Sequence, residues 1–285
     1  MNSTPKLSRQ SHRAWVRSAL VGLALCFCVL GTTGCINKLR AKDRLNEGAR
    51  QFNKGKFDQA EKLFKEAMEL DPEFMQARLF YATALRSRVN NEEGESQQKT
   101  ARAAIDAYKD LLDPKYNGKI KEKDRDQAYA FIADLYKTLD DTNSFREWLQ
   151  KRADLPGQKP LTRSECLYGI GVTYWNEAVK VSKKYEVQVP GKLPETKKVD
   201  QWDKKDVETL LGFVRNGLKF IDDAIAAYPE YTNAYSYRGL LIAEQIKVEA
   251  DPAKATALDK DRQAAMEKFQ ELNRRAAAEL NSSGS

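Results

Sequence analysis

The sequence predicts an all-α protein in which helix pairs repeat along most of the chain, behind a short N-terminal targeting segment. Three observations predict it. Apolar residues recur at helical spacing from Ile36 to Leu280, with little alternation of the strand type. Small residues, aromatics and prolines return at matching offsets in successive stretches. A basic, then apolar, then small-residue order precedes Cys35. With 41% hydrophobic and 31% charged residues among 285, the chain can build the cores of one or two ordinary domains and stay soluble.

The N-terminal segment comes first. Residues 1–17 are polar and basic, residues 19–30 (ALVGLALCFCVL) are almost wholly apolar, and Gly31 to Gly34 are small. An apolar run of that length, at about 1.5 Å per residue, spans about 18 Å against a hydrocarbon core of about 30 Å. It is too short for a stable transmembrane helix, and Arg17 blocks its extension upstream. Residues 1–34 therefore read as a secretory signal peptide. Its end, Thr32-Thr33-Gly34-Cys35, resembles the lipobox of bacterial lipoproteins, with Thr32 where that family usually has leucine. The resemblance implies cleavage between Gly34 and Cys35, a diacylglycerol group on the Cys35 sulfur, and an acyl chain such as palmitate on the new amino group. Residues 35–40 would be the lipidated N-terminus and a short linker. Ile36 and Asn37 follow the cysteine in place of the aspartate that retains some lipoproteins at the inner membrane. The periplasmic face of the outer membrane is then the expected location in a host with two membranes. Lys38, Arg40, Lys42 and Arg44 lie where they could meet anionic headgroups or form a solvated first turn.

The body begins near residue 41. In NEGARQFNKGKFDQAEKLFKEAMELDP, Gly48 and Ala60 allow two antiparallel helices to approach, Gly55 turns the chain, Phe64 fills the gap and Pro72 stops the second helix. This stretch resembles a tetratricopeptide repeat. Further pairs join Tyr81, Ala82 and Leu85 with Ala104, Tyr108 and Leu111, and Ile132, Ala133 and Tyr136 with Phe145, Trp148 and Leu149. Leu167, Ile170, Gly171 and Tyr174 face Gly217, Ile221 and Ala224; Tyr235, Gly239 and Ile242 face Ala265, Phe269 and Leu272. About five helix pairs over residues 41–280 would stack, because one pair alone cannot bury its apolar face. The resemblance implies a right-handed superhelical solenoid. Phe64 and Phe269 are expected as large core anchors, three turns as expanded (Asn90 to Gln98, Glu186 to Asp203, Glu249 to Leu258), and residues 281–285 as a disordered tail.

Catalytic chemistry is scarce. The single histidine, His12, lies upstream of Cys35, which removes Ser-His-Asp and Cys-His catalysis and His-ligated zinc from the mature chain. Asp140-Asp141 and Asp222-Asp223 are adjacent pairs whose side chains diverge on a helix. No phosphate-cradling loop, CxxC pair or calcium loop occurs, so no cofactor, metal or catalytic residue is expected. Cys26, Cys28 and Cys35 sit in or beside the apolar run, and Cys166, alone in the body, reads as a small buried hydrophobe. Lys6, Arg9, Arg13 and Arg17 carry much of the +7 formal charge. The remainder is interspersed and near balance, which points away from nucleic acid.

The repeat resemblance implies a partner-binding concave face lined by the first helix of each pair, here Leu45, Phe52, Arg86, Lys137, Tyr168 and Trp175. Leu45 and Ala49 stand where some family members hold a peptide carboxylate with Lys and Asn, so that clamp is not implied. The expectation is a membrane-anchored, non-enzymatic lipoprotein scaffold for envelope proteins or peptide segments, similar in architecture to lipoproteins that assemble outer-membrane proteins, pili or cell-wall machinery. The alternatives are an envelope hydrolase using carboxylates and a scaffold whose residues 19–30 stay uncleaved in the inner membrane.

Overall fold

The computed structural model describes residues 35–191 and 194–283. The expected signal peptide, Gly34 included, lies outside them, as do the final two residues of the expected tail. The described chain is all-α apart from one hairpin of two-residue strands. Among the described residues, no helix is long and apolar enough to cross a membrane. The chain divides into two compact units, one ending at Ile120 and one beginning at Lys121.

In the N-terminal unit, residues 35–53 form α1, so the expected linker is helical from Cys35 onward. No glycine or proline interrupts Ile36 to Lys42, and Ala41, Leu45 and Gly48 are buried. Gly55 adopts φ +73°, a left-handed turn that reverses the chain into α2 (Phe57–Leu70). A Cβ on Gly48 would lie 2.5 Å from Phe64 Cε1, which explains the bare backbone opposite that ring. Leu45, Ala60, Phe64 and Ala67 share this core with Ala77 and Ala84 of α3 (Met75–Val89). Tyr108 and Leu111 of α4 (Gly94–Leu111) are buried in the second pair. The expected expanded turn at 90–98 is short, because α4 starts at Gly94. Arg88 explains this: its guanidinium pairs with Asp58 at 2.8 Å, with Glu61, and with Glu92 at 2.8 Å. Glu92 also accepts from Thr100 at 2.7 Å, which ties the turn to the α4 surface.

The C-terminal unit contains α5 (Glu122–Thr138), α6 (Thr142–Ala153), α7 (Pro160–Ser182), α8 (Lys204–Ala227), α9 (Thr232–Ile246) and α10 (Pro252–Ser283). Each packs on its successor, and α7 also packs directly on α9. The expected pairs form: Ile132 and Ala133 are buried with Trp148 and Leu149, and Ile170 with Ile221 and Ala224. Gly171 and Gly217 mark the tightest crossing, where a Cβ on Gly171 would sit 2.7 Å from Ile221 Cγ1 and 3.3 Å from the Gly217 carbonyl. In the last pair Ala265 and Leu272 are buried, but Phe269 is only half-buried and is not the anchor expected.

Between α7 and α8 the Glu186–Asp203 insertion is real. Its strands, β1 (Glu186–Val187) and β2 (Glu195–Thr196), pair antiparallel with Glu186 opposite Thr196. Tyr185 and Trp202 stack beneath them at 4.1 Å and 10°. The Trp202 indole donates to the Lys197 carbonyl at 2.9 Å, and the Tyr185 hydroxyl donates to Asp206 at 2.8 Å. The expected Glu249–Leu258 loop is instead mostly helix: α9 runs to Ile246 and α10 starts at Pro252. Asp251 accepts from the Ala253 N–H at 2.9 Å, and proline suits the first helical position. α10 continues to Ser283, three residues into the expected tail.

One ion pair gives this unit an acid-sensitive contact. Arg152 donates to Asp126 through Nε at 2.9 Å and Nη2 at 2.7 Å, and Gln158 adds a 2.8 Å bond. The Arg152 hydrogen bonds hold the Asp126 carboxyl below its ordinary range, against the opposing effect of burial. A depressed folded pKa contributes stability that is present above the unfolded value of about 3.9 and is lost as pH falls through the folded value. Stability of the wild type therefore falls below about pH 4, and Asp126→Asn flattens that part of the profile. Urea midpoints measured across the acid range check this; identical slopes in the two proteins would contradict it.

Candidate functional site

The expected groove residues fall three in each unit. In the N-terminal unit Leu45, 6% exposed, belongs to the α1–α2–α3 core, which removes it from any contact face. Its spacing of four from Ala41 and three from Gly48 turns it toward Phe64 rather than outward. Phe52 is half-buried, its ring 5.0 Å from Phe57. Arg86 is half-buried on α3 and acts electrostatically on Tyr108.

The C-terminal unit brings more together. Along α7, Leu161, Tyr168, Val172, Trp175 and Val179 recur at spacings of seven, four, three and four, which places them on one face. Leu161 is exposed and the other four are half-buried. Direct packing of α9 on α7 brings in Tyr237 and the exposed Leu240. Tyr168 meets Tyr231 and Tyr237 edge-on at 5.2 Å each, and Trp175 meets Tyr237 edge-on at 5.3 Å. These are favourable aromatic geometries, and they hold the rings as one half-open surface. Burial, reinforced by the Tyr237 and Tyr231 hydroxyls, pushes the Tyr168 phenol well above its ordinary range. Burial also raises the Tyr231 phenol. Both phenols stay neutral across physiological pH. Among the described residues the buried Trp175 indole N–H has no hydrogen-bond partner. The arrangement offers neutral aromatic and aliphatic surface, which suits apolar side chains of a peptide or helix.

Lys137 is exposed on α5 and lines a cleft of about 380 Å³ with Thr173, Asn176, Val179 and Lys180. Val179 is shared by the cleft and the α7 stripe, so the two adjoin. A larger cleft of about 560 Å³ lies between α6, α7 and α8, lined by Gln150, Arg163, Lys219 and Phe220. Its charges are already matched, Lys219 with Asp223 at 3.4 Å and Arg163 with Asp154 at 3.7 Å. Tyr231, Tyr237 and Leu240 were not named by repeat position. For Tyr237 and Leu240 a signal was available, because they are three apart on the first helix of the pair after α7.

Two cysteines are described. Cys35 is exposed at the first described residue of α1. Cys166 is buried on α7, and burial pushes its thiol up to about 11, so it is protonated at neutral pH and a poor nucleophile. Among the described residues no three His, Cys, Asp or Glu side chains gather to hold a metal.

No family model matches the chain, and no curated protein matches it. Solved structures similar to it include MamA, at 15% identity, covering 81% of this chain and 94% of that one, with a TM-score of 0.46. YrrB, described as a TPR protein with an unusual peptide-binding site, is 11% identical over 85% of this chain and 91% of that one, with a TM-score of 0.44. The TPR2AB domain of yeast Sti1 in a complex with HSP90 is 20% identical over 86% and 93%, with a TM-score of 0.33.

Proposed function

We propose that this chain is a lipoprotein of the bacterial cell envelope that works without catalysis, docking protein segments on its helix pairs while an acylated Cys35 holds it at a membrane. The observation that carries the docking half is the Tyr168–Tyr231–Tyr237–Trp175 surface on α7 and α9, flanked by exposed Leu161 and Leu240. An extended segment or amphipathic helix from an envelope protein is the partner such a surface fits. Tethering raises the local concentration of this surface toward membrane-embedded partners without any new contact. Assembly of outer-membrane proteins, pili or cell-wall machinery is the setting that suits it.

Mass spectrometry of the N-terminal peptide tests the anchor. A triacylated peptide starting at Cys35 is expected, and Cys35→Ser releases the protein from membranes; an intact Met1 peptide overturns the anchor and favours an uncleaved inner-membrane form. A photoreactive residue at Trp175 tests the docking surface in living cells. Adducts with a discrete envelope protein are expected, and adducts confined to this chain overturn it.

A further inference from the structure

We infer that the first two turns of α1 lie against an anionic lipid surface, so that the anchor fixes which face of the first helix pair meets the membrane. The inference rests on the anchor proposed at Cys35 and adds a contact that acylation alone does not require. Cys35 is already helical, so no flexible tether stands between an acyl chain on its sulfur and the folded unit. Ile36 and Leu39, 49% and 63% exposed, stand one turn apart and point away from the buried Ala41, Leu45 and Gly48.

Single exposed aliphatics are ordinary. Here two adjoin the acylation site, on a segment whose own charges are mostly basic. Lys38, Arg40, Lys42 and Arg44 share the segment with Asp43 as its one acid. Arg44 is held by Glu66 at 3.1 Å, Arg40 shares a cleft with Asp43, Glu66 and Glu69, and Lys38 acts electrostatically on Glu73, so Lys42, exposed and three residues from Leu39, is the base turned toward an external anion. Exposed aliphatics bordered by lysine and arginine are the chemistry of a helix lying in the headgroup layer, where apolar side chains enter the acyl boundary and bases meet phosphate. A protein partner would also satisfy the aliphatics, but lipid chains on the neighbouring residue bring the bilayer to this spot first.

The test places a photoreactive side chain in the full chain, at Leu39→p-benzoylphenylalanine or at Lys54→p-benzoylphenylalanine. Both positions are exposed, and they lie about 22 Å apart, the second just past the far end of α1. The protein is purified from membranes, reconstituted in vesicles of phosphatidylethanolamine and phosphatidylglycerol, irradiated, and assayed for lipid adducts. Adducts at position 39 should exceed those at position 54 by about tenfold, the ratio that a preference of about 1.4 kcal/mol for the bilayer gives. Equal yields overturn the contact. The N-terminal peptide mass is read on the same samples: a triacylated Cys35 with equal yields keeps the anchor and loses the contact. A peptide from Met1 removes the anchor, and the ratio of yields still decides the contact.

Discussion

Phe64→Ala lowers the stability of the N-terminal unit by about 3–5 kcal/mol. The ring is 1% exposed and sits over the bare Gly48 backbone of α1, with Phe80 of α3 edge-on at 5.5 Å. Removing it opens a void on which three helices border, and neither Gly48 nor the flanking Ala60 and Ala67 has a side chain long enough to refill it. Phe64→Leu keeps most of the volume and costs less. Phe269→Ala is the comparison that makes the prediction specific, since the two phenylalanines hold equivalent repeat positions while Phe269 is half-buried. Urea unfolding followed by circular dichroism should show the smaller loss for Phe269→Ala. Equal losses would mean that repeat position, rather than burial, sets the cost.

Gly171→Ala and Gly212→Ala shift stability in opposite directions, although both replace a helical glycine in the C-terminal unit. Helix propensity alone favours alanine by about 1 kcal/mol at each. At Gly171 the new methyl would lie 2.7 Å from both Cγ1 and Cδ1 of Ile221. Ile221 is fully buried and cannot swing aside, and the Gly217 carbonyl 3.3 Å away closes the other direction. The α7–α8 crossing must open, at a cost toward the upper end of about 1–3 kcal/mol because the close contacts are with a buried side chain and backbone, and that exceeds the propensity gain. At Gly212 nothing among the described residues lies within 4 Å of an added Cβ, so the gain stands alone. Thermal midpoints of the two variants decide it, and a rise in both would show that the crossing tolerates a methyl.

The helix pairs were legible because their cause is local. Small residue, aromatic and proline at set offsets describe how two neighbouring helices touch, and Gly48 against Phe64 is that contact. Turn lengths were less legible because distant partners set them. The Arg88 cluster that closes the 90–93 turn draws Asp58 and Glu61 from α2, which no window around residue 90 contains. The start of α10 could have been read, since Asp251-Pro252 is a cap followed by a first-turn proline. In the candidate site, Tyr168 and Trp175 came from repeat position, and so did Leu45, where position misled because the helix face turns inward there. Tyr237 could have been read from its spacing of three to Leu240, whereas Tyr231 emerges only once the start of α9 is laid on α7. Trp202, conspicuous as the lone tryptophan of the insertion, proved to be internal to it, stacked on Tyr185.

That stack bears on how such a chain can lengthen over evolutionary time. Tyr185 and Trp202 pinch the two ends of the insertion together, so whatever lies between them leaves the spacing of α7 and α8 unchanged. For a loop already closed, each doubling of length costs only about 0.6 kcal/mol. The tip around Gly191 is thus a place where new sequence can be acquired, altered or lost while every helix behind it keeps its neighbours.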